Sequence, residues 1–281
     1  MDVIGQGPGA ILTAAMGRTL AALPAFRGKG RLVNSLGRVA SRLAPRTYAS
    51  PRPGIRLPVD LRDRIQRYMW AGCFEIENLR LLSRRLQPGA VFVDIGAHIG
   101  FFTVLAAELV GPCGQVHAVE PDPALFRQLQ ANTAGLPQVR LHELAISGRS
   151  GPVIFRRGTR GESGWGTLID VPGRQCQEVR SRTLDQWVAE NEELARIDFI
   201  KIDAEGSEPA ILAGGQATLS SWRPGLLLED NEPLLRHEGA SAEAIVGRLE
   251  GLGYRCQVLP TLAGSCSCHT LLCEIPPGGA R

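Results

Sequence analysis

Between residues 90 and 275 the chain passes repeatedly from a short apolar run to a segment with apolar residues at helical spacing. This alternation limits the fold more than any other feature. Ala90–Ile95 is apolar apart from Asp94, as expected of a strand buried on both faces. Gly100–Val110 then sets Phe101, Val104, Leu105 and Leu109 along one helical stripe. Gln115–Val119 predicts the next strand, and Asp122-Pro123 predicts a helix start, with a capping side chain and a proline at the first helical position. Further strands are predicted at Val139–Ile146, Ile197–Asp203, Gly225–Glu229, Tyr254–Leu259 and His269–Ile275, with helices opening at Glu208 and Ser241. Repeated β-α-β units imply an α/β, doubly wound, mostly parallel sheet with helices on both faces. Residues 147–183, rich in glycine and polar side chains, break the rhythm as an insertion or hairpin region, with extended pieces near Val153–Phe155 and Glu178–Arg180.

A chain of 281 residues, 44% hydrophobic and 21% charged, has enough apolar material for a large core and is not disordered or disulfide-dependent. No apolar run approaches the ~18 residues of a spanning helix. The net charge of +3 conceals an asymmetry, because residues 1–56 hold nine basic residues and one acid, Asp2. We read 1–56 as a basic, partly helical arm and 57–281 as the main domain, joined through a linker at Pro51, Pro53, Gly54 and Pro58. The arm is either a helical prefix wrapping the body or a peripheral contact for an anionic surface such as a membrane or nucleic acid. It is Arg-rich and acid-poor like a targeting peptide, yet Arg18 interrupts its apolar stretch, so secretion is not expected. Seven scattered cysteines, an odd number, suit a reducing, cytoplasmic compartment. Cys266, Cys268, His269 and Cys273 invite a zinc reading, but no second cysteine pair completes it, and a terminal strand is the better reading.

In an open α/β sheet, ligands bind beyond the carboxyl ends of the strands. After the first of these strands comes Asp94-Ile95-Gly96-Ala97-His98-Ile99-Gly100. Gly96 permits the turn, and Gly100 permits close helix packing with amides facing a ligand. His98 stands where a dinucleotide fingerprint has its second glycine, which argues against a nicotinamide dehydrogenase. Glu120 ends the next strand, where an acid can accept both hydroxyls of a ribose. A glycine turn with a ribose acid and no pyrophosphate loop suggests a nucleoside ligand.

Val93–Thr103 resembles the first motif of class I S-adenosylmethionine-dependent methyltransferases, and more specifically of the FkbM family. Val119–Pro123 resembles the second motif, and Arg182-Thr183-Leu184-Asp185 the element before the fourth strand. Ile197–Glu208, with Lys201-Ile202-Asp203-Ala204-Glu205-Gly206-Ser207-Glu208, is similar to the family's most distinctive stretch. The likeness covers roughly residues 65–275. His98 departs from it, since asparagine is commoner there. The resemblance implies a Rossmann-like, seven-stranded sheet with an antiparallel last strand, S-adenosylmethionine as cofactor, and methylation of a hydroxyl on a sugar or secondary metabolite. It implies that Asp94 and the backbone of Gly96, Ala97, His98 and Gly100 hold the methionine end. Glu120, beside Pro121, would hold the ribose, and Glu143 to Ala145 would border the adenine. Asp203 would stand where methyl and acceptor meet.

An alcohol is a poor nucleophile, so a base or a metal must ease loss of its proton. Strand alternation puts Lys201 and Asp203 on one face, so these two, with Glu205, are the candidate catalytic residues. The rival mechanism is a divalent metal held by Asp203 with Glu229, Asp230 and Asn231. A base-nitrogen nucleic-acid methyltransferase would carry an Asn/Asp-Pro-Pro-aromatic motif instead of Asp203-Ala204-Glu205-Gly206. An RNA ribose methyltransferase and a non-catalytic nucleoside-binding module stay as alternatives. His117, His142 and His237 form no constellation in the sequence.

Overall fold

The computed structural model describes residues 7–237, 239–259 and 268–276. They divide into two compact units. The first comprises the chain to Arg85 together with 158–164, so it extends past the boundary drawn at residue 56. It contains helices α1 (Pro8–Ala22) and α2 (Lys29–Leu43), strands β1 (Arg46–Ala49) and β2 (Leu57–Asp60), and helices α3 (Arg64–Trp70) and α4 (Ile76–Arg85). The Pro/Gly stretch read as a linker joins β1 to β2, which pair antiparallel from Arg46 opposite Asp60 to Ala49 opposite Leu57. Asp63 caps α3 by accepting from the Gln66 amide.

The second unit is the α/β sheet. Its elements are β3 (Val91–Ile95), α5 (Phe101–Val110), β4 (Gln115–Val119), α6 (Pro123–Thr133), β5 (Val139–His142), β6 (Ala145–Ile146), β7 (Gly151–Arg156) and β8 (Cys176–Arg182). After them come α7 (Leu184–Glu190), β9 (Phe199–Ile202), α8 (Glu208–Ala213), α9 (Gln216–Trp222), β10 (Gly225–Asn231), α10 (Glu232–His237), α11 (Ala242–Gly251), β11 (Arg255–Leu259) and β12 (Cys268–Glu274). Seven strands form one sheet in the order β11-β12-β10-β9-β3-β4-β5. All run parallel except the last, β12, which lies antiparallel between β10 and β11. The expected doubly wound, Rossmann-like α/β fold with an antiparallel last strand is therefore present.

Period-two alternation sorts the two faces. Val93, Ile95, Ile200, Ile202, Leu226 and Leu228 point to one side and pack with Leu184, Trp187, Ile211 and Leu219. On the other side Ala118 packs with Phe126 and Leu129 of α6. The Asp122 side chain caps α6 by accepting from the Ala124 amide, as the sequence implies.

Three features differ from the sequence reading. The strand expected over Val139–Ile146 breaks at Glu143–Leu144, and its end becomes β6 of a separate sheet ordered β6-β8-β7. Exposed Glu143 interrupts the run, and the apolar alternation slips from Val139 and Leu141 to Leu144 and Ile146, a change of phase that the sequence reading passed over. The ends of this insertion close on each other: the Ser147 amide donates to Arg182 O at 2.9 Å, the Ser147 and Ser181 hydroxyls are 2.7 Å apart, and the Thr183 amide donates to Ser150 Oγ. Second, Glu232–His237 forms α10, where the sequence reading predicts no element. Third, Cys256 and Cys273, which the sequence reading did not pair, stand directly opposite on β11 and β12 and are joined by a disulfide, which removes Cys273 from the zinc reading. Cys266 of the zinc reading lies outside the described residues. Among the described residues no helix is long and apolar enough to cross a membrane.

Candidate active site

The carboxyl ends of β3, β4 and β9 converge on two loops that touch. Gly96, at φ +80°, follows β3, and a Cβ there would fall 1.9 Å from the carbonyl oxygen of Asp203. Only glycine serves both the left-handed turn and this contact. The loop after β3 therefore rests on the loop after β9.

Across β3 and β9, Asp94 and Lys201 are register partners beneath α5. Thr103 Oγ1 donates to Asp94 Oδ2 at 2.6 Å. The other oxygen, Asp94 Oδ1, is buried with no hydrogen-bond partner among the described residues. Burial pushes the Asp94 carboxyl above its ordinary range, opposed by the Lys201 charge. Lys201 is buried, sits 4.9 Å from the centre of the Phe102 ring, and donates from Nζ to Asp203 Oδ2 at 2.9 Å. That is the pairing strand alternation implies. Asp203 itself is a quarter exposed (25%), so it faces both a buried cation and solvent.

His98 adopts φ +54°, a left-handed conformation that costs a non-glycine residue about 1–2 kcal/mol. Glu120 holds it there: Oε2 accepts from the His98 amide and Oε1 from the Asp122 amide, both at 2.8 Å. Burial raises the Glu120 carboxyl to about 8, against the lowering effect of those two amides. Each oxygen keeps a second lone pair for a ligand hydroxyl. Gly100, at φ +91°, caps α5, and a Cβ there would meet Leu129 at 2.8 Å. Pro121 lies between Glu120 and the α6 cap. Glu143 is exposed in the break after β5, while Ala145 is buried in β6.

The Ala204–Ser207 turn is braced from three sides. Glu205, at φ +48°, accepts from Asn231 Nδ2 through Oε2 at 2.8 Å. Its backbone carbonyl accepts from Thr167 Oγ1 at 2.7 Å. Glu208 Oε1 accepts from the amides of Ala204 and Gly206, and Glu208 Oε2 is buried with no partner among the described residues. Burial raises both glutamates to about 8, with the Asp203 charge adding to the rise. Of the residues named for a metal, carboxylate oxygens of Asp203 and Glu229 lie within 4.8 Å of each other. Asn231 is committed to Glu205 and to the Leu234 amide, and the side chain of Asp230 lies outside the described atoms.

The sequence reading missed Thr103, Thr167 and the clamp formed by Glu208. It also missed a histidine pair. His117 Nδ1 and His142 Nε2 are 3.1 Å apart, their rings stack, and both meet Trp187 edge-on. Adjacent strands join residues far apart in sequence, which is why no local pattern signalled it. Burial lowers both imidazoles to about 4. His237, in the last turn of α10, lies outside this stack.

These shifts have opposite consequences for stability. Glu120, Glu205 and Glu208 bind protons more tightly folded than unfolded, so their contribution is complete below pH ~4.5 and is lost as pH rises through about 8. The histidines bind protons less tightly folded, so their contribution is complete above pH ~6.5 and is lost as pH falls through about 4. Three glutamates outweigh two histidines above pH ~4.5, so melting temperature should peak near pH ~4.5, fall as pH rises through about 8, and fall again as pH drops through about 4. Glu208→Gln keeps the acceptor for both amides and removes the ionisable group. It should match wild type at pH 4 and melt higher at pH 8.5, by about 1 kcal/mol or more in stability. Identical pH profiles for the two proteins would refute the assignment.

The sequence pattern of the methyltransferase FkbM domain matches residues 94–256, more than half of the chain. The chain belongs to the FkbM methyltransferase family. It is 31% identical over 159 residues to the 2-O-methyltransferase NoeI of Sinorhizobium fredii (strain NBRC 101917 / NGR234), covering 51% of this chain and 65% of that protein. It is 33% identical over 159 residues to the 31-O-demethyl-FK506 methyltransferase FkbM of Streptomyces tacrolimicus, covering 46% of this chain and 60% of that one. The chain thus spans less than two thirds of these relatives' length. A solved FkbM methyltransferase from Methylobacillus flagellatus KT aligns at TM-score 0.44 and 14% identity, over 95% of this chain and 60% of that one. The FkbM domain match contains both touching loops, from Asp94 to Glu208.

Proposed function

We propose that this protein is an S-adenosylmethionine-dependent O-methyltransferase acting on a hydroxyl of a small sugar-like or secondary-metabolite acceptor. The observation that carries the reading is the contact of the Gly96 turn with Asp203, which sets the glycine loop held by Glu120 against a solvent-reachable carboxylate. The names of the two relatives, a 2-O-methyltransferase and a 31-O-demethyl-FK506 methyltransferase, support the same chemistry.

The donor fits the residues present. The buried, unpartnered Asp94 Oδ1 suits the ammonium of the methionine moiety, and the amides after Gly96 suit its carboxylate. Glu120 holds the ribose hydroxyls, and the break at Glu143–Ala145 borders the base. When bound, S-adenosylmethionine supplies an electrophilic methyl on a positively charged sulfur. Asp203 accepts the proton of the acceptor hydroxyl as the oxygen attacks, and Lys201 fixes the Asp203 carboxylate from below. Glu205, turned toward Asn231, stiffens the loop that presents Asp203.

A divalent cation between Asp203 and Glu229 is the second reading, favoured by the approach of their carboxylates. The acceptor is a small molecule rather than a nucleic acid, and a cytoplasmic location belongs to the same reading. Incubating the protein with methyl-labelled donor and a panel of hydroxylated sugars and macrocycles tests the proposal. Label should enter an ether of at least one acceptor. Failure of the protein to bind the donor by calorimetry would overturn it.

A further inference from the structure

Helix α1 carries one charge, Arg18, in its 15 residues and is otherwise almost wholly apolar. A helix apolar on all sides needs cover on all sides. Only Thr13, Gly17 and Leu20 are buried. Helix α2 buries the corresponding strip Val33, Gly37 and Ala40. Both strips rest on α3, since a Cβ at Gly17 would fall 2.4 Å from Trp70 Nε1 and one at Gly37 2.3 Å from Arg67 Cδ. Gly9 at the start of α1 approaches Leu43 at the end of α2, so the helices lie antiparallel, side by side on one support. Their outward faces therefore form one surface.

That surface is apolar along α1 and mixes arginines with exposed Val39 and Leu43 along α2. Ile11 and Leu12 are 63% and 51% exposed, and Phe26 in the connection is 47% exposed. On α2 the exposed positions are Arg31, Ser35, Arg38, Val39, Arg42 and Leu43, and Arg31, Arg38 and Arg42 stand opposite the buried strip. Residues 7–56 hold nine basic side chains and no acid.

We propose that the α1–α2 hairpin docks on an anionic phospholipid surface. Ile11, Leu12 and Phe26 enter the boundary between headgroups and acyl chains, while Arg31, Arg38 and Arg42 meet lipid phosphates. Charge complementarity selects this partner. A second copy would set one cationic hairpin against another. A nucleic acid would engage the arginines and gain nothing from exposed Ile11 and Leu12. The proposal is independent of the methyl-transfer reading.

Co-sedimentation of the 281-residue protein with vesicles tests it. Phosphatidylglycerol/phosphatidylcholine vesicles should capture the protein at low salt, pure phosphatidylcholine should not, and salt should weaken capture. Arg31→Glu/Arg38→Glu/Arg42→Glu should reduce partitioning ~100-fold, and Ile11→Ser/Leu12→Ser ~10-fold, with unchanged circular dichroism melts, because these positions are exposed. Three results would each overturn the proposal. One is no capture by acidic vesicles. Another is full capture of the Ile11→Ser/Leu12→Ser variant. The third is a wild-type dimer, seen by sedimentation, that this variant abolishes.

Discussion

Asp203→Asn should lower methyl transfer by about 100-fold or more, the size of a lost general base, while donor affinity changes less than ~3-fold. The structure sharpens the expectation. Lys201 is buried with its ammonium on Asp203 Oδ2 at 2.9 Å, and asparagine can still accept that hydrogen bond. The charge is lost but the contact is kept, so the melting temperature should fall by only a few degrees. Adding EDTA to wild type divides the two mechanisms: loss of activity restored by Mg2+ assigns Asp203 and Glu229 to a cation, and no effect assigns Asp203 to the proton. Normal turnover by the asparagine variant would leave Asp203 as a structural partner of Lys201 and remove it from the chemistry.

Glu120→Ala should weaken donor binding by ~30- to 1000-fold, or about 2–4 kcal/mol, through loss of two hydrogen bonds that leaves the ribose hydroxyls unpaired in a buried site. The alanine also strands the amides of His98 and Asp122, which Glu120 now satisfies. Glu120→Gln separates these effects, because its amide oxygen can hold one of the two N–H groups and its shape is unchanged. Calorimetry should show the glutamine variant intermediate in affinity and closer to wild type in melting temperature. Equal donor affinity in all three proteins would place the ribose elsewhere.

The parts of the fold that were legible in the sequence are those set by local chemistry. Asp122-Pro123 gives the start of α6, Ser241 that of α11, and unbroken apolar runs give the central strands. The glycine turn and Glu120 were readable for the same reason, since each follows a strand end. What escaped reading depends on pairing between distant residues. The stack of His117 on His142 needs β4 beside β5, and the disulfide needs Cys256 opposite Cys273. Helix α7 had a readable signal in Thr183, whose hydroxyl accepts from the Gln186 amide, with Leu184 and Trp187 three apart on its buried side. Glu208 read as a helix start. Its use as a brace for the preceding turn is visible only in three dimensions, because its carboxylate bends back to the amides of Ala204 and Gly206.

The hydrogen bonds that join Ser147 to Arg182 and Ser150 to Thr183 bring the two ends of the inserted segment to one point. A loop whose ends meet can change its length at small entropic expense, on the order of 0.6 kcal/mol per doubling. The segment can therefore change in length, as long as Thr167, which braces the Glu205 carbonyl, is kept. Chimaeras in which a relative's segment is spliced between Ser147 and Thr183 keep the strands that carry Asp94, Glu120 and Asp203. Variation of the insertion and preservation of the strand ends are then separable along one chain, and the splice points are written in two serines, an arginine and a threonine.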